Sequence, residues 1–266
     1  MTGKPRSLWM DWETLEREWL SQTRLLLLLD FDGTLSPLAE SPRRARLPEA
    51  TKTLVRRLGA RPDVEVAVIS GRSVSDIRSR VDLRSVYYAG NHGLEIDGPG
   101  LSFRHPRAAA LKPALLDLAK SLRRDCRPLA GVLVENKGMT LSLHYRRLPR
   151  EKLVELRALL RAYRLKTKDL PYRWRTGHKV WELVPEADWD KGRAALLLLR
   201  HLRHPFPIAL GDDRTDEDMF RALREKGTTI SIGCPRPSRA RYCLSSQRET
   251  DSFLRKLDAS LAGRAR

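Results

Sequence analysis

Two carboxylates follow directly after a run of five leucines near the start of the chain. Asp30 and Asp32 lie in the segment LLLLLDFDGT, and their i, i+2 spacing directs both side chains to one side of an extended chain. One member of such a pair can attack an electrophile while the other transfers a proton. Their oxygens also favour a hard cation such as Mg²⁺. The pattern predicts a catalytic and metal-binding pair, and the alternative is two acids that only cap a loop.

A hydroxyl and a glycine turn follow the second predicted strand, 64–69. The tripeptide Ser70-Gly71-Arg72 leads into a helix, and a serine hydroxyl in a glycine-containing turn can bind a phosphate oxygen. Arg72 is then expected to reach toward the substrate. The alternative is that Ser70 simply caps the helix that begins near Ser73.

A histidine between glycines follows the third predicted strand, 86–89. The segment is Gly90-Asn91-His92-Gly93. A lone histidine is most often structural. Since open α/β sheets bind ligands at the carboxyl ends of their strands, this position favours a site-lining role for Asn91 and His92.

A lysine and a group of acids are the signals in the last third of the chain. Lys191 begins the helical segment KGRAALLLLRHL, where its charge opposes the positive end of the helix dipole, so we expect an anionic partner. Asp212 follows an apolar strand that ends at Gly211. Crowded acids repel one another unless a cation compensates them. Asp212 is therefore predicted as the third oxygen ligand of Mg²⁺, with Asp30 and the backbone carbonyl of Asp32.

The other acids of the segment GDDRTDEDMF receive supporting roles. Asp213 is expected to lie behind the metal ligands and support them. Asp216 is ambiguous, because it could cap the next helix or orient Lys191. Thr215 and Asp218 have the spacing of a capping box, so Asp218 is interpreted as a helix cap.

The elements that carry these residues predict an α/β fold. Short apolar strands alternate with helices, which is typical of a Rossmann-like, mostly parallel sheet flanked by helices. Between 105 and 187 the rhythm changes to two units of a helix and a hairpin, which predicts an inserted α+β cap. The predicted division is a discontinuous core, 1–104 and 188–266, and a cap domain, 105–187. The predicted helices and hairpins of the cap are 108–126 with 131–146, and 149–163 with 171–184.

One predicted cap strand alternates between apolar and polar residues. Leu141, Leu143 and Tyr145 share the face that should pack on the helices. The opposite face should stay open, and it makes the cap a candidate lid that excludes water from the site. The residues of that polar face are Thr140, Ser142, His144 and Arg146.

Composition limits the classes of partner. The chain of 266 residues is 41% hydrophobic and 32% charged, which is globular, and no apolar run reaches the roughly 18 residues that span a bilayer. The formal net charge is +18, but the arginines are scattered without interleaved aromatics, which argues against nucleic acid and suits phosphorylated substrates. We expect a monomer.

The termini and cysteines add three expectations. Residues 8–22 have the apolar spacing of an amphipathic helix that packs on its own domain. The first residues lack the hydrophobic region of a signal peptide, so a cytoplasmic location is expected. The three cysteines have no metal or redox spacing, and an odd number argues against a disulfide framework, so all are expected to be reduced.

The motifs together resemble a known family. DFDGT resembles the first motif, DxDx[TV], of the haloacid-dehalogenase-like phosphatases. The phrases SGR, YYAGNHGLE, VENKGMTLSLHYR, GHKVWELVP and GDDRTDEDMF resemble the trehalose-6-phosphate phosphatases within that superfamily. The resemblance implies hydrolysis of trehalose 6-phosphate with Mg²⁺. Two alternatives stay open: a phosphatase for sucrose phosphate or glucosylglycerate phosphate, or a non-catalytic phosphate- or nucleic-acid-binding protein.

The resemblance also implies roles for individual residues. Asp30 would form an aspartyl-phosphate, Asp32 would be the general acid and base, and Ser70 would hold the phosphoryl group. Lys191 would contact the phosphoryl group or the carboxylate of the nucleophile. The implied sugar-binding residues of the cap are Glu135, Lys137, Arg146 and Glu182.

Overall fold

The computed structural model describes residues 3–39, 42–177, 179–235 and 237–264. His178 of the GHKVWELVP motif lies outside this part. The strands are β1 (Arg6–Ser7), β2 (Leu25–Asp30), β3 (Val64–Ile69), β4 (Val86–Gly90), β5 (Glu95–Gly98), β6 (Leu101–Arg104), β7 (Leu133–Asn136), β8 (Leu141–His144), β9 (Tyr172–Gly177), β10 (Val180–Pro185), β11 (Phe206–Gly211), β12 (Thr228–Ile232) and β13 (Tyr242–Leu244). The α-helices are α1 (Trp12–Ser21), α2 (Glu49–Gly59), α3 (Val74–Val81), α4 (Pro106–Ala110), α5 (Lys112–Asp125), α6 (Leu153–Lys166), α7 (Lys191–His201), α8 (Asp216–Leu223) and α9 (Arg248–Arg264).

The chain divides into two compact units. The first consists of Met1–Phe103 and Trp189–Arg266, and the second is Arg104–Asp188. Phe103 and Trp189, the first unit's residues at the two crossing points, stack with ring centroids 4.9 Å apart. This contact joins the two ends of the interrupted first unit.

The first unit is built on one large sheet, with the strand order β1-β13-β12-β11-β2-β3-β4-β5-β6 among the described residues. In this spatial order, each pair of neighbouring strands from β1 across the sheet to β4 is parallel. Strand β5 pairs antiparallel with β4. The predicted α/β fold with a mostly parallel sheet is confirmed. The short strands β1 and β13 and the edge strands β5 and β6 were not predicted.

The central strand β2 is buried on both faces, as its five leucines predict. Leu25, Leu27 and Leu29 belong to one core, which also contains side chains of α1, α2, α3 and α9. Leu26 and Leu28 belong to a second core on the opposite face, with side chains of α7 and α8. A strand covered by helices on both sides needs apolar residues at every position, so the run does not alternate.

The N-terminal segment packs on its own unit, as predicted. It forms a short 3₁₀ turn over Leu8–Asp11 and then α1. Trp12 and Trp19 are buried against Phe253 of α9, with edge-to-face rings 6.2 and 6.0 Å from it. Trp19 Nε1 donates to Thr228 Oγ1 at 2.9 Å, so the buried indole also has its polar partner.

The expectation that all three cysteines are reduced is wrong. Cys234 and Cys243 form a disulfide with Cα atoms 5.1 Å apart, and Cys126 is a free, buried thiol. The pairing follows from topology: Cys234 comes just after β12 and Cys243 lies in β13, its parallel neighbour. Counting cysteines could not show that two of the three lie on adjacent strands.

The second unit is an antiparallel sheet packed on helices. Its strand order is β7-β8-β10-β9 in the described chain, and its apolar face meets α5 and α6. Leu141 and Leu143 lie in that core, as the alternation predicts. The prediction of an open polar face is wrong at Thr140 and Ser142, which are fully buried. Ser142 donates to Glu182 Oε1 on the neighbouring strand at 3.1 Å.

Among the described residues, no helix has the length and apolar character needed to cross a membrane. The predicted cytoplasmic location and monomeric state stay predictions.

Candidate active site

Three neighbouring strands place the predicted residues at one edge of the large sheet. β11, β2 and β3 are consecutive and parallel, so their carboxyl ends meet at the same edge. Asp30 ends β2, Ser70 follows β3, and Asp212 follows β11. This is the position at which open α/β sheets bind their ligands.

Lys191 lies between two buried carboxylates. Its Nζ donates to Asp30 Oδ1 and to Asp216 Oδ1, each at 2.7 Å. The exposed fractions of the three side chains are 2% for Lys191, 6% for Asp30 and 0% for Asp216. The ambiguity about Asp216 is thereby resolved: it holds Lys191, and Oδ2 of its carboxylate accepts from the backbone N–H of Asp213 at 3.0 Å.

The burial of these charges moves their pKa values. Removal from water raises the pKa of Asp30 well above 3.8, and the nearby Asp216 and Asp212 raise it further, against the opposing effect of Lys191. The pKa of Asp212 is raised to about 7, mainly by burial and then by the charge of Asp216. Burial acts to lower the pKa of Lys191, but its two aspartate partners outweigh it and raise that pKa. Lys191 therefore stays charged, while the raised pKa values of Asp30 and Asp212 show that more acids crowd this edge of the sheet than one lysine can stabilise in the ionised form.

The chain backbone approaches Asp212 closely at Gly33. Gly33 has φ +87°, and a Cβ at this position would lie 2.1 Å from Asp212 Oδ2. Thr34 Oγ1 also lies 3.5 Å from Asp212 Oδ1. Glycine therefore serves both the left-handed turn after Asp32 and the close packing of the third acid.

The acids have the chemistry of a hard-cation site. One carboxylate oxygen from each of Asp30, Asp212 and Asp216 lies within 4.8 Å of the others. Three crowded carboxylates, of which Asp30 and Asp212 have raised pKa values, fit a divalent cation that takes oxygen ligands. This set contains Asp30 and Asp212 as predicted.

The side chain of Asp32 is held by Arg72. Arg72 Nε donates to Asp32 Oδ2 at 2.7 Å and Nη2 donates to Oδ1 at 2.6 Å. A third contact runs from Arg72 Nη1 to Asp76 Oδ2 at 2.8 Å. The expectation that Arg72 reaches toward the substrate therefore has no support from its position, since its guanidinium group contacts two carboxylates.

The turn after β3 is held by backbone contacts. The Ser70 N–H donates to the carbonyl of Ala89 at 2.8 Å, and the Ser70 carbonyl accepts from the His92 N–H at 2.9 Å. Ser73, and not Ser70, caps α3 by accepting from the Asp76 N–H. The helix-cap alternative for Ser70 is therefore excluded, and its Oγ instead accepts from the Arg72 N–H at 3.2 Å. The phosphate-binding role of Ser70 stays a prediction.

Asn91 and His92 differ in their surroundings. Asn91 is fully buried, and its Nδ2 donates to Glu95 Oε1 at 2.8 Å. Its predicted role in lining the site has no support from this position. His92 is partly exposed with φ 58°, and its ring lies against Gly71, where a Cβ would be 2.7 Å from Cε1. Gly71 thus makes room for the histidine.

The remaining acids of the last motif lie at the start of α8. Asp213 is exposed, and its Oδ1 accepts from the Arg214 N–H at 2.6 Å. Thr215 is the N-cap residue, but its side chain makes no capping hydrogen bond. Asp218 forms an ion pair with Arg221 at 3.1 Å.

A second group of predicted residues lies in the second unit. Glu135, Ser142 and Glu182 are register partners on β7, β8 and β10, so they form a row on one face of the sheet. Lys137 Nζ lies 2.9 Å from Glu182 Oε1, and His144 Nε2 lies 2.8 Å from Glu135 Oε2. Arg146 is exposed beyond the end of β8.

Sequence reasoning missed two acids that support the site. Asp76 holds Arg72, and Glu95 accepts from both Asn91 and the Val74 N–H. The i, i+4 spacing of Arg72 and Asp76 at a helix start is a signal that could have suggested the first. Glu95 has no comparable signal, because it reaches its partners from the unpredicted strand β5.

Comparison with known proteins identifies the family. The model of the trehalose-phosphatase family matches residues 28–258. A trehalose-phosphate phosphatase from Mycobacterium tuberculosis is 39% identical over 212 residues, which cover 77% of this chain and 53% of the relative. A trehalose 6-phosphate phosphatase from Zea mays is 35% identical over 260 residues, covering 88% of this chain and 70% of the relative. The chain thus spans about half the length of the mycobacterial relatives it matches.

Solved structures show the same fold. The C-terminal domain of a C. albicans trehalose-6-phosphate phosphatase superposes with a TM-score of 0.80 at 20% identity, covering 97% of this chain and 99% of that one. A trehalose-6-phosphate phosphatase related protein superposes with a TM-score of 0.78 at 21% identity, covering 91% and 100%. From the matched residues and the identity to its relatives, the chain belongs to the trehalose-phosphatase family.

Proposed function

We propose that this protein hydrolyses trehalose 6-phosphate to trehalose and phosphate through an aspartyl-phosphate intermediate. The observation that carries the proposal is the buried contact of Lys191 with Asp30 and Asp216, beside Asp212, at the carboxyl edge of the sheet. The names of the relatives support the substrate. The chemistry of the side chains supports the mechanism.

In the first step Asp30 is the nucleophile. One of its carboxylate oxygens attacks phosphorus in line, the bond from phosphorus to the sugar oxygen breaks, and its electron pair leaves with that oxygen. Asp32 gives its proton to the leaving oxygen. The Lys191 contact holds the Asp30 carboxylate at 2.7 Å and supplies positive charge beside the transferring group.

In the second step water hydrolyses the aspartyl-phosphate. Asp32, now ionised, takes a proton from the water, whose oxygen attacks the phosphorus of the aspartyl-phosphate. The acyl phosphate bond breaks, and Asp30 is released as a carboxylate. Ser70 is proposed to hold a phosphoryl oxygen through both steps by donating a hydrogen bond from its hydroxyl group.

Mg²⁺ is the proposed metal ion. The carboxylates of Asp30 and Asp212 and the backbone carbonyl of Asp32 are the proposed ligands, and Asp213 and Asp216 would support them. When bound, the ion would neutralise the charge of the phosphoryl oxygens and of the crowded acids. The raised pKa of Asp212 fits this assignment, since a cation would favour the ionised carboxylate.

The polar row of the second unit is the proposed sugar-binding surface. Glu135 and Glu182 can accept hydrogen bonds from sugar hydroxyls, and Lys137 and Arg146 can donate to sugar oxygens. Lys137 already orients Glu182 at 2.9 Å. A site whose buried polar groups lose partners with the wrong ligand discriminates strongly, which suits selection of a disaccharide. His92 is proposed to line the phosphate end.

Phosphate release from a panel of sugar phosphates tests the proposal. We expect release from trehalose 6-phosphate with Mg²⁺, little release from glucose 6-phosphate, and none in EDTA. Sucrose phosphate and glucosylglycerate phosphate test the related phosphatases. Asp30→Asn is expected to abolish turnover while leaving the circular dichroism spectrum unchanged. Preference for another phosphate would change the substrate, and full activity of Asp30→Asn would overturn the nucleophile.

A further inference from the structure

Arg72 binds the Asp32 carboxylate through a bidentate contact, called the fork below. Its Nε and Nη2 each donate to a different carboxylate oxygen, at 2.7 and 2.6 Å. Two parallel, charge-assisted hydrogen bonds fix the plane of the carboxylate as well as its distance, which a single-point contact cannot do. The side chain of Asp32 therefore has its orientation set by Arg72.

Arg72 is itself held from the side away from Asp32. Its Nη1 donates to Asp76 Oδ2 at 2.8 Å, and Asp76 in turn accepts from Arg80 Nε at 2.9 Å. Its guanidinium also lies over the ring of Phe31, 5.5 Å from the centroid. These contacts come from α3 and from Phe31, which lies between Asp30 and Asp32. The position of the fork is thus held by contacts within the protein.

Arg72 and Asp32 differ in their exposure to solvent. The Arg72 side chain is 9% exposed, whereas the Asp32 side chain is 36% exposed. The carboxylate is the accessible end of the pair, and the guanidinium lies behind it. A substrate can therefore meet Asp32, while Arg72 acts through Asp32.

We propose that Arg72 is a positioning residue that aims the Asp32 carboxylate at the sugar oxygen, so that Asp32 can protonate the leaving group. The inference rests on the proposed function, in which Asp32 gives its proton to that oxygen as the phosphorus–oxygen bond breaks. Each carboxylate oxygen has two acceptor sites and the fork uses one on each, so the proton can be carried at a remaining site. The two contacts with Arg72 keep the carboxyl group in place during the transfer.

The dependence of the rate on the leaving group tests this role. Trehalose leaves as a poor, strongly basic alkoxide that needs a proton, whereas p-nitrophenolate leaves from its phosphate ester without one. Arg72→Lys keeps the charge but loses the fork, and Arg72→Met loses both. We expect each variant to lower kcat/KM for trehalose 6-phosphate by about 10- to 100-fold, because a misplacement of about 1 Å has effects of this size. The fall for p-nitrophenyl phosphate should be at least about tenfold smaller.

The choice of kcat/KM isolates the first step. This ratio reports only events up to the first irreversible step, which here forms the aspartyl-phosphate. Hydrolysis of that intermediate, which both substrates share and which also uses Asp32, does not enter the comparison. Asp76→Asn weakens one contact that holds Arg72 and leaves the fork in place. It should change the ratio of the two kcat/KM values by a smaller factor than the Arg72 variants do.

A matched control is Arg61→Met. Arg61 also forms an arginine–carboxylate pair in the first unit, with Asp63 at 3.2 Å, near the opposite end of β3. Its loss should change both substrates equally or not at all. Thermal unfolding of every variant separates loss of folded protein from loss of positioning, and the ratio of the two substrates is independent of the folded fraction.

Two results would overturn the inference. Equal falls of kcat/KM for both substrates would make Arg72 merely structural. A raised KM with unchanged kcat, together with weaker inhibition by inorganic phosphate, would make it a substrate-binding residue. If wild-type protein releases no phosphate from any sugar phosphate while Asp30→Asn matches it, the proposed function fails and the inference falls with it.

Discussion

Replacement of Lys191 by methionine removes the one cation between two buried carboxylates. Lys191 contacts Asp30 and Asp216 at 2.7 Å each, and all three side chains are at least nine-tenths buried. Methionine has a similar length, so the change leaves the packing volume nearly intact. The lost charge then leaves two buried carboxylates without the cation that they share.

The expected cost follows from this burial. Removal of one partner of a buried ion pair destabilises a protein by about 3–5 kcal/mol, because the other charge stays buried and uncompensated. For a chain of this size, that corresponds to a fall in Tm of roughly 10 °C. Phosphatase activity should fall to background, since the same lysine holds the proposed nucleophile.

Urea unfolding at pH 7 in EDTA, followed by tryptophan fluorescence, measures the cost. The double variant Lys191→Met with Asp216→Asn removes the excess acid together with the cation. We expect it to recover about 2 kcal/mol relative to the sum of the two single changes, which is a coupling of the size seen for residues in contact. Lys52→Met is the control, because its pair with Asp82 at 3.4 Å is exposed on one side and should contribute below about 1 kcal/mol.

Two outcomes would refute the reasoning about this triad. A loss under about 1 kcal/mol for Lys191→Met would place the lysine with the exposed ion pairs. Strict additivity of the two changes would mean that the charges do not interact in the folded protein.

The remaining predictions concern a glycine, a carboxylate and a thiol. Gly33→Ala should lower Tm and activity, since its Cβ would lie 2.1 Å from Asp212 Oδ2. The control is Gly100→Ala, which is also at positive φ but has open space around the added Cβ. This control should lose only about 1 kcal/mol of stability, from the strain of the backbone. Equal effects of the two changes would contradict the close packing. Burial acts to raise the pKa of Asp76, but hydrogen bonds from two arginines outweigh it and hold the pKa below 3.8. A carboxyl with a lowered native pKa stabilises the protein above its unfolded pKa and loses that contribution as the pH falls, so the stability lost in Asp76→Asn should be largest near pH 7 and shrink below about pH 4. A constant difference across that range would refute it. Burial raises the pKa of the Cys126 thiol to about 11, so no thiol should react with a thiol reagent in native protein at pH 8. Denaturation without a reductant should expose one thiol, and the appearance of three would contradict the disulfide.

The sequence predicted the parts of the fold that depend on local pattern. The buried strand β2, the strand ends that carry Ser70 and Asp212, and the α/β class all follow from apolar runs and the residues that terminate them. The acidic partners of Lys191 were expected from the conflict of its charge with the helix dipole. In each case one short segment contains the whole signal.

Features that depend on two distant segments were less accessible. The direction of the Arg72 side chain is decided by Asp32, forty positions away in the chain, and its spacing from Ser70 suggested a different partner. The Cys234–Cys243 pairing depends on β13, which is too short to show a periodic pattern. The burial of Ser142 depends on Glu182 from another hairpin.

The leucine run of β2 has a consequence for strand alignment. Since every position from 25 to 29 is leucine, sliding the strand by one residue would exchange one leucine for another in both cores and would cost little hydrophobic burial. Alignment must therefore come from the ends of the strand. Arg24 binds Glu65 at 2.9 Å and the carbonyl of Leu202 at 2.8 Å on one side, and Asp30 binds Lys191 on the other. The contact between Lys191 and Asp30, the proposed nucleophile, thus also helps to set the register of β2.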